Sequence, residues 1–307
     1  GHSVICVEHN TEVIKCADQA LYAAKEMGRS NFQFYHQDLA SRGKRPSLDG
    51  AQFHRAFAEG ELCVEDLPRY DLADGRPVGL LAQLRWQHPT MGQLLPDAFV
   101  MAAHEHGMLV ALGQWLLTRV AQDVQQWRRA GDICVPVSIP CDSRLLLEEG
   151  ILPQLDRFFE DQQLEPSALV LQLRQHVLAD ATAQLRQRLL KISQIGLGLS
   201  VSDFGDGGSL PLPEQPLPVQ TVLLGREIGW TLEGQEAATT LPAALIAFCH
   251  TLNMCVVVDG IEQEAQRLRL VELGCDLGQG PLFSPLLDAN QVTTLLVAAP
   301  KTAVDDR

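Results

Sequence analysis

Short apolar runs alternate with longer helical patterns from about residue 51 to the end of the chain. Helical periodicity is clearest in residues 109–130 and 181–195, and each of these segments is followed by a glycine that would end the helix. Repeated strand–helix units predict an α/β fold with parallel strands, and they are what a (β/α)8 TIM-like barrel requires. The predicted strands are residues 62–66, 78–85, 133–139, 169–173, 197–202, 221–224, 254–258 and 280–283.

The first 50 residues follow a different pattern. Apolar positions between Val13 and Ala24 recur with the helical period, and Gly28 is placed to end that helix. A short alternating strand is predicted at residues 31–35. Residues 37–50 are polar and lack periodicity, so we interpret them as a linker between domains. The predicted organisation is an N-terminal fragment at 1–36, the linker at 37–50, a barrel domain at 51–300 and a tail at 301–307.

The net negative charge of the chain bears on whether the protein binds nucleic acid. The formal net charge is −14 and the isoelectric point is near 5.0, which disfavours nucleic-acid binding because such surfaces need clustered Lys and Arg. A dinucleotide ligand needs only a local site and stays compatible with this charge. We therefore expect no nucleic-acid partner.

Cysteine usage and hydropathy bear on the compartment. The eight cysteines are scattered and form no C-x-x-C pair, which is typical of thiols in a reducing cytoplasm. No apolar run approaches the roughly 20 residues that span a bilayer. We expect a cytoplasmic protein, and we leave open whether membrane or sensor segments precede this sequence.

Residues 79–89 read GLLAQLRWQHP and resemble the signature segment of the EAL family, the phosphodiesterases that hydrolyse cyclic di-GMP. The family pattern is close to G-A-E-A-L-L-R-W-R-H-P. Leu84, Arg85 and Trp86 match it, as do His88 and Pro89. The resemblance covers about residues 52–296 and implies a barrel in which one strand runs antiparallel to the others.

A second resemblance concerns the start of the chain. Residues 17–30, ADQALYAAKEMGRS, are similar to the last helix of a GGDEF domain, the diguanylate cyclase family. Asp18, Lys25, Gly28 and Arg29 match that pattern. The resemblance implies that residues 1–36 are a C-terminal helix–strand remnant of a GGDEF domain.

The EAL resemblance implies a site for two Mg²⁺ or Mn²⁺ ions that are held mainly by carboxylates, and such ions need several oxygen ligands. In this chain most of the matching positions carry a side chain other than the family's metal ligand or catalytic group. We therefore expect no bound metal, no cofactor and no catalytic residue. The degenerate positions are Leu81 for the name-giving glutamate, Ser138 for an asparagine, Gln172 and Gln175 for two glutamates, Ser202 for an aspartate, and Leu223 and Gly225 for a lysine and an aspartate.

Other positions keep groups that could contact a ligand. They are Arg85, Leu84, Asp203, Phe204, Asp259, Glu262, Gln279 and Gly280. The resemblance implies that Arg85 contacts a phosphate or a guanine of cyclic di-GMP, which suits its forked donors. The structural alternative is an ion pair with Asp203 or Asp259, and both interpretations stay open at this point.

The sequence therefore favours a catalytically inactive EAL domain that acts as a regulatory or scaffolding module through contacts with an unidentified signalling protein. The alternative is a metal-independent cyclic di-GMP receptor that relays binding to a partner. An active phosphodiesterase ranks third. The family's dimer contact lies near a loop that is proline-rich here, at residues 211–218, so this loop is a candidate partner surface and a homodimer is left open.

Overall fold

The computed structural model describes residues 48–131, 135–179, 181–205, 217–225 and 240–298. The predicted N-terminal helix and strand, the GGDEF-like fragment, most of the proline-rich loop and the tail lie outside these residues. The strands are β1 Leu62–Asp71, β2 Pro77–His88, β3 Gly92–Leu94, β4 Val137–Pro140, β5 Leu169–Arg174, β6 Gly198–Phe204, β7 Thr221–Leu224, β8 Cys255–Val258 and β9 Leu277–Gly278.

Eight of these strands close into a barrel. Their order is β1-β9-β8-β7-β6-β5-β4-β2, and pairing between β1 and β2 closes the ring. Neighbours from β2 through β4 to β9 run parallel, whereas β1 runs antiparallel to β9. The predicted barrel with one antiparallel strand is thus confirmed. The carboxyl ends of the parallel strands meet at one end of the barrel, where such folds carry their chemistry.

Helices follow most of the strands. In α3 the buried residues recur at Leu112, Leu116, Val120, Val124 and Trp127, which is the stripe that periodicity predicts for a helix covering a sheet. The helices are α1 Gly50–Ala58, α2 Pro96–Glu105, α3 Leu109–Gly131, α4 Ser143–Leu147, α5 Ile151–Gln162, α6 Gln175–Ala179, α7 Ala183–Ile195, α8 Thr240–Thr251, α9 Glu264–Glu272 and α10 Ala289–Ala298. Within the described ranges, none of them combines the length and apolarity needed to cross a membrane.

The described chain divides into two compact units. The barrel belongs to the unit formed by residues 62–85 and 109–298, and β2 continues from it into the other unit, which comprises residues 48–61 and 86–108. In that smaller unit Trp86 packs against Phe53 and Phe99, with ring centroids 4.9 and 5.7 Å away. Its indole N–H donates to Glu61 Oε2 at 2.7 Å. This tryptophan of the signature segment therefore serves packing.

Two strand predictions need correction. The strand expected at residues 280–283 is wrong: these residues form a turn, and the last barrel strand is β9, just before them. The physical reason is that Gly280 has φ +145°, and the chain folds back so that Leu282 N donates to Ile261 O at 3.0 Å. In addition β1 runs five residues beyond its predicted end, straight through Pro68.

Asp66 is a buried carboxyl group on the outer face of β1, where helices α3 and α10 cover the barrel. Its side chain is 1% exposed, and no donor within the described part of the chain reaches its Oδ1. The pKa of Asp66 is raised to about 8, mainly by burial and in part by the nearby Asp123, while Arg119 opposes the shift. Asp123 is itself buried and accepts from Arg119 Nε at 3.0 Å. Asp66 is therefore protonated in the folded state at neutral pH.

Asp66 should make the stability of the barrel depend on pH. Between the unfolded-state pKa near 4 and the folded-state pKa, the native protein binds a proton that the unfolded chain lacks, so the free energy of unfolding falls as pH rises. We expect a fall of a few kcal/mol between pH 5 and pH 8, since one pKa unit is worth about 1.4 kcal/mol. Asp66→Asn should flatten this slope, as measured by urea unfolding at several pH values. Asp74→Asn, at an exposed position, should keep it, and an unchanged slope in Asp66→Asn would contradict the assignment.

Candidate functional site

Neutral side chains occupy the positions at the carboxyl end of the barrel that the resemblance predicts to be degenerate. These seven residues, Leu81, Ser138, Gln172, Gln175, Ser202, Leu223 and Gly225, are all buried. Ser138 and Gln172 accept hydrogen bonds from a buried arginine, and Gln175 accepts one from the Gly205 backbone at 2.9 Å. This end of the barrel therefore keeps its fold with amides, hydroxyls and methyl groups where a metal site would need carboxylates.

Arg69 lies at the centre of this arrangement. Its guanidinium donates from Nη1 to Ser138 Oγ at 2.6 Å, from Nη2 to Gln172 Oε1 at 2.9 Å, and from Nε to Gln279 Oε1 at 2.8 Å. Gln279 in turn donates from Nε2 to Asp259 Oδ1 at 2.9 Å. One side chain from β1 thus joins β4, β5 and the residue after β9, and through Gln279 it reaches the residue after β8.

Strand geometry explains why Arg69 lies inside the barrel. Side chains alternate along β1, so Arg69 shares the inward face with Glu65 and Leu67, while Asp66 lies on the outward face. The arginine stem lies beside Gly79 on β2, where an added Cβ would make ordinary van der Waals contact with Arg69 Cβ and Cδ at 3.9 Å. The long side chain then crosses the interior to strands on the other side.

The environment of Arg69 is that of a buried cation. The residue is 5% exposed, and burial lowers its pKa to about 10, while the carboxylate of Asp259 acts in the opposite direction. A guanidinium with a pKa near 10 is still protonated at neutral pH. A full positive charge therefore lies inside the barrel, surrounded mainly by neutral hydrogen-bond acceptors.

These residues do not fit the pair of divalent cations that the resemblance implies. The oxygens of Ser138, Gln172 and Gln279 already accept from Arg69, and a Mg²⁺ ion beside a guanidinium would meet a like charge. Among the residues with described positions, no three Asp, Glu, His or Cys side chains converge as a metal site. The donor chemistry at this end therefore disfavours a divalent ion.

Arg85, the first of the ligand-binding candidates, is held within the hairpin formed by β1 and β2. Its Nε lies 3.0 Å from Glu65 Oε2, although the N–H does not point at that oxygen, and Nη2 donates to Gln83 Oε1 at 2.6 Å. Nη1 donates to the carbonyl of the neighbouring Leu84 at 3.0 Å. The structural alternative was right that Arg85 forms an ion pair but wrong in its partner, because strand pairing brings Glu65 to it rather than Asp203 or Asp259.

The other candidates occupy different surroundings. Asp203 is exposed and has a left-handed backbone with φ +58°. Its Oδ2 lies 3.8 Å from Arg174 Nε. Phe204 is buried and its ring lies 6.4 Å from that of Phe248. Glu262 is exposed on the segment before α9. Of the ligand-binding candidates, Asp259 and Gln279 are the residues that the structure joins to Arg69.

Comparison with known proteins identifies the family. Residues 51–286 match the family model described as EAL domain. The chain belongs to the EAL domain family. It is 30% identical over 277 residues to the cyclic di-GMP phosphodiesterase NbdA of Pseudomonas aeruginosa, covering 90% of this chain and 35% of that protein.

Two further comparisons concern a single relative. The bifunctional diguanylate cyclase/cyclic di-GMP phosphodiesterase MucR of Pseudomonas aeruginosa is 28% identical over 282 residues, covering 92% of this chain and 41% of that protein. A solved structure described as a PaMucR phosphodiesterase in complex with c-di-GMP has a TM-score of 0.72 and 28% identity, covering 79% of this chain and 98% of that one. The chain thus spans less than half the length of both curated relatives.

Arg69 was missing from the candidates drawn from the EAL resemblance. The sequence prediction ended the first strand at Asp66, so Arg69 fell outside the predicted strand. The available signals were the alternation of Glu65, Leu67 and Arg69 along a strand and the glycine at position 79 opposite. Neither signal identifies the three acceptors, which lie 69, 103 and 210 residues away along the chain.

Gly280 holds the end of the EAL barrel next to this network, and its replacement should be costly. An added Cβ would lie 2.4 Å from Ile261 N and 2.6 Å from Ile261 O, at a φ that L residues rarely adopt. We expect Gly280→Ala to lower the free energy of unfolding by about 3 kcal/mol or more in urea titration. Gly274→Ala is the matched control: it also has positive φ, +77°, but no atom lies within 4 Å of its added Cβ. Equal losses in both variants would contradict a role for the close approach.

Proposed function

We propose that this EAL domain is catalytically inactive and acts in cyclic di-GMP signalling as a regulatory or scaffolding module through protein contacts. The observation that carries the proposal is the set of neutral side chains at the carboxyl ends of the strands. Two-metal phosphodiester hydrolysis needs anionic oxygen ligands around both ions. Here Leu81 has no donor atom, and Ser138 and Gln172 offer neutral oxygens that already accept hydrogen bonds from Arg69.

The rest of the barrel supports a role that does not involve catalysis. The strand pairing is continuous around the ring and the inner residues are buried, so the changes at the strand ends coexist with a packed fold. A chain under no functional constraint would accumulate packing defects as readily as lost ligands. A folded EAL barrel without a metal-ligand set is suited to contacts with another protein.

A second candidate is a metal-independent receptor for cyclic di-GMP. It is favoured by the resemblance to the PaMucR phosphodiesterase, whose solved structure is described as a c-di-GMP complex. It is disfavoured by the position of Arg85, which is buried and held by Glu65 and Gln83. A dinucleotide phosphate would have to displace these contacts to reach the guanidinium.

Purified protein should neither hydrolyse nor bind cyclic di-GMP. We expect no linear dinucleotide product above the enzyme-free blank in the presence of excess Mg²⁺ or Mn²⁺, the ions that two-metal hydrolysis would use. Isothermal titration calorimetry with and without metal should show no binding heat. Chromatographic separation of cyclic and linear dinucleotide provides the activity measurement.

Arg85→Ala is the control that separates the two inactive roles. Binding by the wild-type chain that is independent of metal and absent from Arg85→Ala would select the receptor. Turnover by the wild-type chain would contradict both inactive roles, and the variant Asp259→Asn would then report whether the surviving carboxylate contributes to it.

A further inference from the structure

We infer that Arg69 is a tethered cation that takes the structural place of a metal ion at the carboxyl end of this barrel, and that it excludes added divalent metal from that place. The inference deepens the proposed function and rests on it, because it explains how the carboxyl end of a catalytically inactive barrel is held together. It concerns a residue that the family pattern does not assign to the site.

The first support is the geometry of the hydrogen bonds. A metal ion at a barrel end draws together oxygen atoms from several strands, and Arg69 does the same with N–H donors directed at three oxygens on β4, on β5 and after β9. These distances, 2.6 to 2.9 Å, are typical of charge-assisted hydrogen bonds. A planar guanidinium with five N–H groups can satisfy such divergent acceptors from one fixed position.

The second support is the balance of charge. Carboxylates gathered at one point without a cation would repel one another, and a cation without an anion would be costly to bury. In this chain Ser138 and Gln172 are neutral, the added cation carries a single charge, and Asp259 is linked to it through the amide of Gln279. The neutral residues at the expected acidic positions therefore match the single positive charge of Arg69, because neither repulsion between carboxylates nor a second cation has to be accommodated.

The third support is the burial of Arg69. Its stem lies beside Gly79 of β2, and the residue is only 5% exposed. The charge is held by a side chain that cannot dissociate, so no concentration of free metal is needed to keep this end of the barrel together. An ion competing for the same oxygens would have to displace a covalently attached cation.

The test compares Mn²⁺ responses in four proteins: the wild type, Arg69→Met, Gln172→Glu and the double variant. Mn²⁺ binding is followed by electron paramagnetic resonance and by the melting temperature with and without the ion. We expect no Mn²⁺ response in the wild type or in Gln172→Glu, where the new carboxylate would pair with Arg69. The double variant, with a carboxylate and no guanidinium, should bind Mn²⁺ and melt at a higher temperature as the ion is added.

Removal of Arg69 should also destabilise the barrel in the absence of metal. Arg69→Met leaves three buried oxygens without their donor, and we expect the melting temperature to fall by roughly 5–10 °C. Arg76→Met is the matched control, because Arg76 forms a half-exposed pair with Asp74 and its loss should change the melting temperature by less than about 2 °C. Arg69→Lys keeps a cation without the planar fork, so it should be less stable than the wild type and still show no Mn²⁺ response.

Two results would overturn the inference. One is a Mn²⁺ response in the wild type that Asp259→Asn abolishes, because Arg69 would then coexist with a metal. The other is a Mn²⁺ response in Gln172→Glu equal to that of the double variant. The first comparison uses proteins that retain Arg69, so it stands even where Arg69→Met fails to fold. Neither readout involves cyclic di-GMP, so Mn²⁺ binding without hydrolysis would end this inference while leaving the proposed function intact.

Discussion

A positive charge buried inside a barrel is the constraint on which the carboxyl end of this protein depends. Arg69 cannot be left without acceptors at that depth, because an uncompensated charge in a low-dielectric interior costs several kcal/mol. Ser138, Gln172 and Gln279 supply the acceptors, and the amide of Gln279 passes the interaction to Asp259. These three neutral side chains are thus what makes an internal arginine tolerable.

Gln279 connects this network to the backbone. Its side chain lies between Arg69 and Asp259, its N–H donates to Val258 O, and its carbonyl accepts from Ile261 N. The following residue, Gly280, approaches Ile261 so closely that no side chain fits. The position of the Gln279 amide is therefore set by a turn that only glycine permits, which explains why the end of β9 and the network cannot shift independently.

Much of the fold could be predicted from the alternation of strands and helices, whereas the central contact of the site could not. Seven barrel strands lie where apolar runs predicted them, and the eighth failed because 280–283 is an apolar run in a turn that a positive φ imposes. The signature resemblance located the neutral positions at the strand ends. Arg69 escaped because the predicted strand ended at Asp66, and its acceptors are set by tertiary closure of the ring, which local sequence does not encode.

The two faces of β1 show why the register of this strand matters. Asp66 points outward into the helical layer and stays neutral because burial raises its pKa, while Arg69 points inward and stays charged because its acceptors surround it. A slip of one residue would place the carboxyl in the barrel and the guanidinium beneath α3, and neither group would meet its present surroundings. Because such a slip would leave both groups buried without suitable partners, these two polar residues favour the observed register of the antiparallel strand. The register in turn places Arg69 level with Ser138 and Gln172.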